Sequence, residues 1–427
     1  MKHGVTEHHV TGGGSGLLVN VPGSDVVSLQ VRFNSGFQFA DRKVYEVPHV
    51  MEHLLSTVTQ KHPGPNEFFI EAQKNGAYVN AHTSVDINGY VYECADFELM
   101  RILDLMEEQL TAPLFTEKPL AAEIGNVREE LTRNTTNHST VCSVQLAEQA
   151  FPHLWLNYDE RIGQLPKITV DHVRKHYERT HSSGNARFFV AGNFSDGGEA
   201  VVRRLDRIFQ QMPKGERMDR SREIGLGLKH PVVAHRDIKQ LYYRAVMYFG
   251  ELTEAERRAM TLLRLVLVGG MGSRILGEAR RRGLAYAVSG AGHAEPGNSS
   301  FGFLGYVTPG NADTLFEVIG RGFDEVRKGD LGDVELDAAK DLLVGSIKRS
   351  TQTPGDLLGW YLEPYDEAGE IRDFDRTMEL MRGVRPDEVV AVARKMVDAG
   401  RQGLSFLGPV DERVAEGYQR ELKPLAG

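Results

Sequence analysis

Cysteine is nearly missing from this chain: of 427 residues only Cys94 and Cys142 carry a thiol, 48 positions apart. That excludes a disulfide framework and a cysteine-built metal site. An excess of positive charge is missing as well. The formal net charge is -9, the wrong sign for a nucleic-acid surface, which needs clustered Lys and Arg; basic peptides are better matched ligands. Long apolar runs are absent too. No window approaches 18 consecutive apolar residues, so no membrane span is expected, and the opening segment MKHGVTEHHVTGGGSG lacks the apolar stretch of a secretion signal. The expected location is cytoplasmic, with His8 and His9 as solvated terminal residues. What is present is apolar content of 41%, enough for a large core, and a length that allows two to four domains.

The most informative segment is His49-Val50-Met51-Glu52-His53. On a helix, residues four apart lie about 6 Å from each other on one face, so His49 and His53 can close on one Zn²⁺ from the same side. Glu52 flanks that position. A carboxylate there can take a proton from a water whose pKa the metal lowers to about 7. The order His-x-x-Glu-His reverses the commoner zincin pattern and is that of the inverzincins.

Periodicity sets these residues in an α+β frame. Alternating apolar positions over 16–36 predict two strands around a Pro-Gly-Ser turn, and the helix carrying the histidines follows, with Pro48 tolerated in its first turn. Helical spacing over 66–76 comes next, then a strand pair over 77–95 around Asp86-Ile87-Asn88-Gly89 and an apolar stripe of 3.6 period over 97–112. A second long helix should run from about Lys118 past Thr132. The polar stretch 213–229 has no periodic apolar face and reads as a connection. After it the order recurs: a strand over 240–250, a helix over 251–268, a glycine loop, another helix, and a strand over 301–310. We therefore expect two domains of similar layout, each a mostly antiparallel sheet packed with helices: residues 1–215, a linker at 216–229, and residues 230–427. The loop Val268-Gly269-Gly270-Met271-Gly272-Ser273 lacks the Gly-Lys-Ser/Thr of a phosphate cradle and reads as a turn with Ser273 capping the next helix.

Two histidines leave a catalytic zinc one protein ligand short. In EIGNVREELTRN, Glu123 and Glu130 are seven apart and share a helix face, while Glu129 points elsewhere. Together these residues resemble the pitrilysin family of zinc metallopeptidases, relatives of mitochondrial processing peptidase and insulin-degrading enzyme. Its motif is His-x-x-Glu-His followed about 76 residues later by a glutamate, and 76 residues separate His53 from Glu130. A second glutamate precedes the ligand by seven positions in that family, in a context that Glu123, Val127, Glu130, Leu131 and Thr132 match. Asn80-Ala81-His82-Thr83-Ser84 is similar to the family's Asn-Ala-x-Thr-Ser segment, and Gly283-Leu284-Ala285-Tyr286 to its C-terminal substrate element.

The resemblance implies one Zn²⁺ per chain, held by His49, His53 and Glu130, with Glu52 as general base and Glu123 orienting the site. It implies a peptide substrate paired along an edge strand that includes Asn80, Ala81 and Thr83; His82 reads as a strand side chain beside the cleft. Tyr286 and an arginine would hold the substrate from the second half. The family places that arginine seven residues before the tyrosine, where this chain has Ala279, so Arg280 serves with a one-residue deletion, and Arg274 is read as structural. The implied active unit is a clamshell of four such domains. A homodimer is expected, with a heterodimer as the alternative, and with neither nucleic acid nor membrane as partner. The competing function is a non-catalytic structural or regulatory subunit of a peptidase complex.

Overall fold

The structure, a computed structural model, describes residues 2–64, 66–221, 223–295 and 297–426. Its chain divides into two compact units, each assembled from three stretches. Unit 1 comprises Met1–Thr132, Tyr158–Ser221 and Ser350–Ile371, and unit 2 comprises Arg133–Asn157, Arg222–Arg349 and Arg372–Gly427.

Unit 1 contains β1 (Gly4–His9), β2 (Ser15–Asn20), β3 (Val26–Asn34), α1 (Val47–Thr57), α2 (Glu67–Ala72), β4 (Tyr78–Thr83), β5 (Ile87–Ala95), α3 (Leu99–Thr111) and α4 (Glu117–Asn134). After α5 (His138–Ala150), which belongs to unit 2, come α6 (Tyr158–Gln164), α7 (Val170–Thr180), β6 (Ala186–Gly192) and α8 (Glu199–Gln210). Its six strands lie in the order β1-β2-β6-β3-β5-β4, with β2 and β6 parallel and every other neighbouring pair antiparallel. The alternation of β3 explains why both its faces are covered. Val27, Leu29, Val31 and Phe33 form core, and the polar set Ser28, Gln30 and Arg32 is buried on the other face.

Unit 2 repeats this plan. It contains β7 (Val232–His235), β8 (Leu241–Phe249), α9 (Glu254–Val268), α10 (Arg274–Arg281), β9 (Val288–Glu295), β10 (Asn298–Val307), α11 (Ala312–Lys328) and α12 (Asp333–Arg349). Then follow α13 (Pro354–Ala368), which belongs to unit 1, and α14 (Phe374–Arg382), α15 (Pro386–Asp398), β11 (Gln402–Gly408) and α16 (Glu412–Glu421). The sheet order β7-β11-β8-β10-β9 reproduces β2-β6-β3-β5-β4 strand for strand, including its single parallel pair, β7 with β11. Only β1 has no counterpart. Tyr243, Phe301, Phe303, Phe316 and Phe406 centre the core of this unit.

The two-domain α+β architecture read from the sequence is present, but the units are not contiguous stretches on either side of 216–229. Equivalent helices are exchanged: α5, from the first half, packs on β7, β8 and β11 of unit 2, and α13, from the second half, packs on β2, β3 and β6 of unit 1. Periodicity reports which face of a helix is apolar, not which sheet it covers, so this exchange has no signature along the chain. On α13, buried Asp366 pairs with Arg217 at 2.6 Å and also with Arg220 and Arg32, which ties the helix to β3 and to the polar connection. Two smaller expectations are corrected. His8 and His9 lie in β1, paired to β2, instead of in a loose terminus, although that strand remains largely exposed. Ser273 stands at the N-cap of α10, yet its hydroxyl donates to Gly270 O at 2.6 Å instead of capping.

Candidate metal centre

Helix α1 starts at Val47 with Pro48 in its first turn. Its spacing brings the rings of His49 and His53 to a centroid separation of 4.8 Å at 83°. His49 and Glu52 are buried and His53 is half-buried. From α4, Glu130 reaches over so that Oε2 lies 3.6 Å from His49 Nε2 and 3.7 Å from His53 Nε2. A four-coordinate zinc with bonds of about 2.0–2.2 Å holds its ligand atoms roughly 3.4 Å apart, so the distance from Glu130 Oε2 to each imidazole nitrogen is close to what a shared metal would require. Glu52 is close as well, since His49, Glu52 and His53 can each place one ligand atom within 4.8 Å of the others. Its Oε2, however, accepts from Thr83 Oγ1 at 3.3 Å. That bond fits a carboxylate held beside the centre and not in it.

The imidazoles are oriented from behind. His49 Nδ1 is 2.9 Å from Glu46 Oε2, and His53 Nδ1 is 3.1 Å from Glu123 Oε2, leaving both Nε2 atoms toward Glu130. On α4, Glu123 is buried, Glu130 is half-buried and Glu129 is exposed, as the seven-residue spacing requires. Four carboxylates, those of Glu46, Glu52, Glu123 and Glu130, thus surround two imidazoles, with the guanidinium of Arg161 on Glu46 as counter-charge. The donor set suits a divalent cation.

Electrostatics follow from that crowding. Burial disfavours charge on His49, but the adjacent carboxylates of Glu130 and Glu46 prevail and lift its pKa to about 9. Burial opposes charge on His53 too, and Glu123 and Glu130 raise it to about 10. The two imidazoles beside it hold Glu130 far below the usual carboxylate range. Glu52 moves the other way: burial raises its pKa, and the neighbouring histidines only partly oppose this. A buried carboxylate whose proton affinity is raised is suited to accept and pass on a proton.

Strand β4, at the edge of the unit 1 sheet, carries the remaining residues singled out in this half. Thr83 binds Glu52 as described, Ala81 shares its face and is half-buried, and Asn80 points to the opposite face and is exposed. His82, on that opposite face, has its pKa lowered by burial and by Arg32. In unit 2, Tyr286 is 75% exposed and lies under the guanidinium of Arg280, 4.3 Å from its ring centroid. Arg280 Nη1 also donates to Tyr286 O at 3.0 Å. Both line a cavity of about 570 Å³ with Met271 and Tyr306. Arg274 is instead engaged by both oxygens of Glu335, at 2.6 and 2.7 Å, a structural pairing.

Sequence reading missed Glu46, Arg161 and Asn88. Asn88 donates to Thr83 Oγ1 at 2.6 Å, which leaves the threonine hydroxyl to donate to Glu52. Glu46 carried a local signal, an acidic residue three positions before His49 on the same helix face; Arg161, 115 residues away, carried none.

The family model described as Insulinase (Peptidase family M16) matches residues 17–158, and the one described as Peptidase M16 inactive domain matches residues 167–343. The chain belongs to peptidase family M16, the pitrilysin family. Among M16 relatives, the putative zinc protease mug138 of Schizosaccharomyces pombe is 26% identical over 185 residues, 41% of this chain and 19% of that protein. The mitochondrial presequence protease of Mus musculus is 23% identical over 357 residues, 75% of this chain and 34% of its own length. The beta subunit of the mitochondrial-processing peptidase of Caenorhabditis elegans is 22% identical over 196 residues, 45% of this chain and 42% of that subunit. The chain therefore spans less than half the length of each of these relatives. Two crystal structures share the fold, each with a TM-score of 0.85: an M16 inactive domain from Pseudomonas fluorescens, at 16% identity over 96% of this chain and 98% of that one, and a protease from Helicobacter pylori, at 18% identity over 95% and 100%. No helix among the described residues is long and apolar enough to cross a membrane.

Proposed function

We propose that this M16 chain is a zinc-dependent endopeptidase acting on oligopeptides or on precursor and leader peptides. The observation that carries the reading is the convergence of Glu130 Oε2 on both histidine Nε2 atoms at 3.6 and 3.7 Å, beside a buried carboxylate, Glu52, that no ligand role requires. His49, His53 and Glu130 would hold the zinc, one per chain. When bound, the metal supplies Lewis-acid polarisation of a carbonyl and acidification of water. Glu52, aimed by Thr83 and Asn88, takes the proton of the attacking water and returns it to the leaving amine. The edge of β4 offers unpaired backbone groups to an extended peptide, so that Asn80, Ala81 and Thr83 flank the substrate. Tyr286 and Arg280 supply substrate contacts from unit 2. The active unit is proposed as a homodimer forming a four-unit clamshell, with a heterodimer as the alternative, and the location as cytoplasmic.

A second reading, a non-catalytic structural or regulatory subunit, draws on the match to an inactive-domain model. That match begins at residue 167, outside the stretch that holds His49, Glu52, His53, Glu123 and Glu130. The test is zinc content together with mass spectrometry of a peptide mixture digested by wild type and by Glu52→Gln. Cleavage by wild type that the substitution abolishes supports the peptidase; stoichiometric zinc with no Glu52-dependent cleavage of any peptide supports the subunit.

A further inference from the structure

We propose that Glu46, fixed in place by Arg161, is a positioning residue that decides which nitrogen of His49 faces the metal. The inference rests on the zinc reading above and extends it to two residues outside the His-x-x-Glu-His spacing. Glu46 is fully buried at the N-cap of α1, where its side chain makes no capping bond. Its two oxygens are divided between two partners: Oε2 lies 2.9 Å from His49 Nδ1, and Oε1 accepts from Arg161 Nε at 2.5 Å. An ionised carboxylate only accepts hydrogen bonds, so Nδ1 of His49 must carry a proton, and the lone pair of a neutral ring is left on Nε2, toward Glu130.

Arg161 makes that division rigid. The guanidinium only donates, is 7% exposed, and lies against the rings of Phe37, Tyr45 and Tyr158 at 4.9, 5.6 and 5.2 Å. Turning away from Glu46 would strand a buried charge. His53 is oriented by a different device. Glu123 accepts from Asn126 Nδ2 at 3.0 Å with the same oxygen, Oε2, that faces His53 Nδ1. One oxygen serves both of these nitrogens there, with Thr57 also against the Glu123 carboxylate, whereas Glu46 divides two oxygens between His49 and Arg161.

This difference makes the same substitution weigh unequally at the two positions. In Glu46→Gln the single remaining oxygen is claimed by Arg161, and the amide NH₂ is turned onto His49 Nδ1. Donor then meets donor unless the ring moves its proton to Nε2, the nitrogen that must be free to ligate. In Glu123→Gln the remaining oxygen can occupy the Oε2 position and accept from Asn126 and His53 together. Replacing Arg161 alongside Glu46, as in Glu46→Gln/Arg161→Met, releases the amide to offer its oxygen to His49 and removes both buried charges at once.

The experiment measures the zinc dissociation constant by chelator competition on the full chain, with the thermal midpoint of each metal-free protein as a folding control. Glu46→Gln is expected to weaken zinc binding by roughly 10–100-fold, as loss of such partners does. Glu123→Gln should weaken it less than Glu46→Gln does, and Glu46→Gln/Arg161→Met should recover most of the loss. In zinc-saturated, ¹⁵N-histidine-labelled wild type, long-range ¹H–¹⁵N spectra should show His49 metallated on Nε2 and protonated on Nδ1. Wild-type affinity in a folded Glu46→Gln, failure of the double variant to recover, or metallation of His49 on Nδ1 each overturns the proposal. If Glu46→Gln does not fold, the double variant and the nitrogen spectrum still decide it. A wild type that binds no zinc overturns the reading of the site itself, a result distinct from any of these.

Discussion

Units 1 and 2 share strand order and helix succession, yet they differ in what they bury. Every buried Asp, Glu, Arg and His among the described residues lies in unit 1: Arg32, Glu46, His49, Glu52, Glu98, Glu108, Glu123, Arg161, His176, His181, Arg204 and Asp366. The buried polar residues of unit 2 are Ser273, Ser299, Gln402 and Ser405, all uncharged. The counterpart of α1 is α9, whose covered positions are Ala259, Met260, Leu262, Leu263 and Leu265 through Val268, with no histidine among its residues. The topology therefore needs no buried charge to form, since one copy forms without it. Burying an ionised group is costly unless it is paired, and unit 1 pairs its own: Glu46 with Arg161, Asp366 with three arginines, Glu123 with His53. In unit 1 part of that polar interior is organised around the candidate metal centre. Unit 2 keeps the same scaffold as apolar packing.

The sharpest way to test that contrast is chemical. Glu52→Gln should lower peptide cleavage by about 10²–10⁴-fold, the usual worth of a general base, while zinc content stays at one per chain; Thr261→Ala on α9 should change neither. Equal losses from both would erase the distinction between the units. Next in size is the metal itself. Zinc at about 100 times its dissociation constant should add about 2.7 kcal/mol of stability, and hydrogen-exchange protection should rise over 47–57 and 117–134 but not over 254–268. His53→Ala should abolish that gain. Smaller still is the contribution of unit 2 to the substrate. Tyr286→Ala should raise KM by about tenfold, or about 1.4 kcal/mol, with zinc content untouched.

The mildest expected difference is in acid. Burial lowers the pKa of His176 to about 4 and that of His181 well below its ordinary value of 6.5. Between 6.5 and 4 the unfolded chain takes up protons that these folded sites refuse, so their stabilisation is complete above about pH 6.5 and declines as pH falls toward 4. In the metal-free protein His49 and His53, with folded pKa values of about 9 and 10, are protonated in both states across that window and add no slope there. Their pairing is at full strength below pH 6.5 and is lost as pH rises through 9 and 10. The histidines of unit 2 are half-buried or exposed, so exchange at pH 5 compared with pH 7 should accelerate in unit 1 first. Simultaneous loss in both units would show that they unfold as one cooperative block.

What could be read along the chain was what periodicity encodes. The four-residue step from His49 to His53 and the seven-residue step from Glu123 to Glu130 each put two side chains on one helix face, and the structure brings all four together with Glu52. The strands over 15–34 and 78–95 and the helices that bear these residues follow the same alternations. What escaped depends on meeting across distance. Arg161 finds Glu46 only after α6 docks beside the start of α1, and Asn88 fixes Thr83 only across the β4–β5 pair. The 4-residue β7 is too short for alternation to stand out, and β1, with its polar Thr-Glu-His-His run, is a strand because β2 pairs with it, not because one of its faces is apolar.

The crossing of α5 and α13 sets an order on how the protein can be made. A ribosome that has released residues 1–221 has delivered every strand of unit 1 but not α13, which alone carries Leu357, Tyr361 and Tyr365 to the face formed by Leu17, Val19 and Phe189. Until synthesis passes residue 371, that face and the arginines that await Asp366 remain without their cover, and α5 is already waiting for strands not yet made. Unit 1 is thus complete only once α13 has been made, and unit 2 only once β11 and α16 have followed, so neither repeat closes from one continuous stretch of chain.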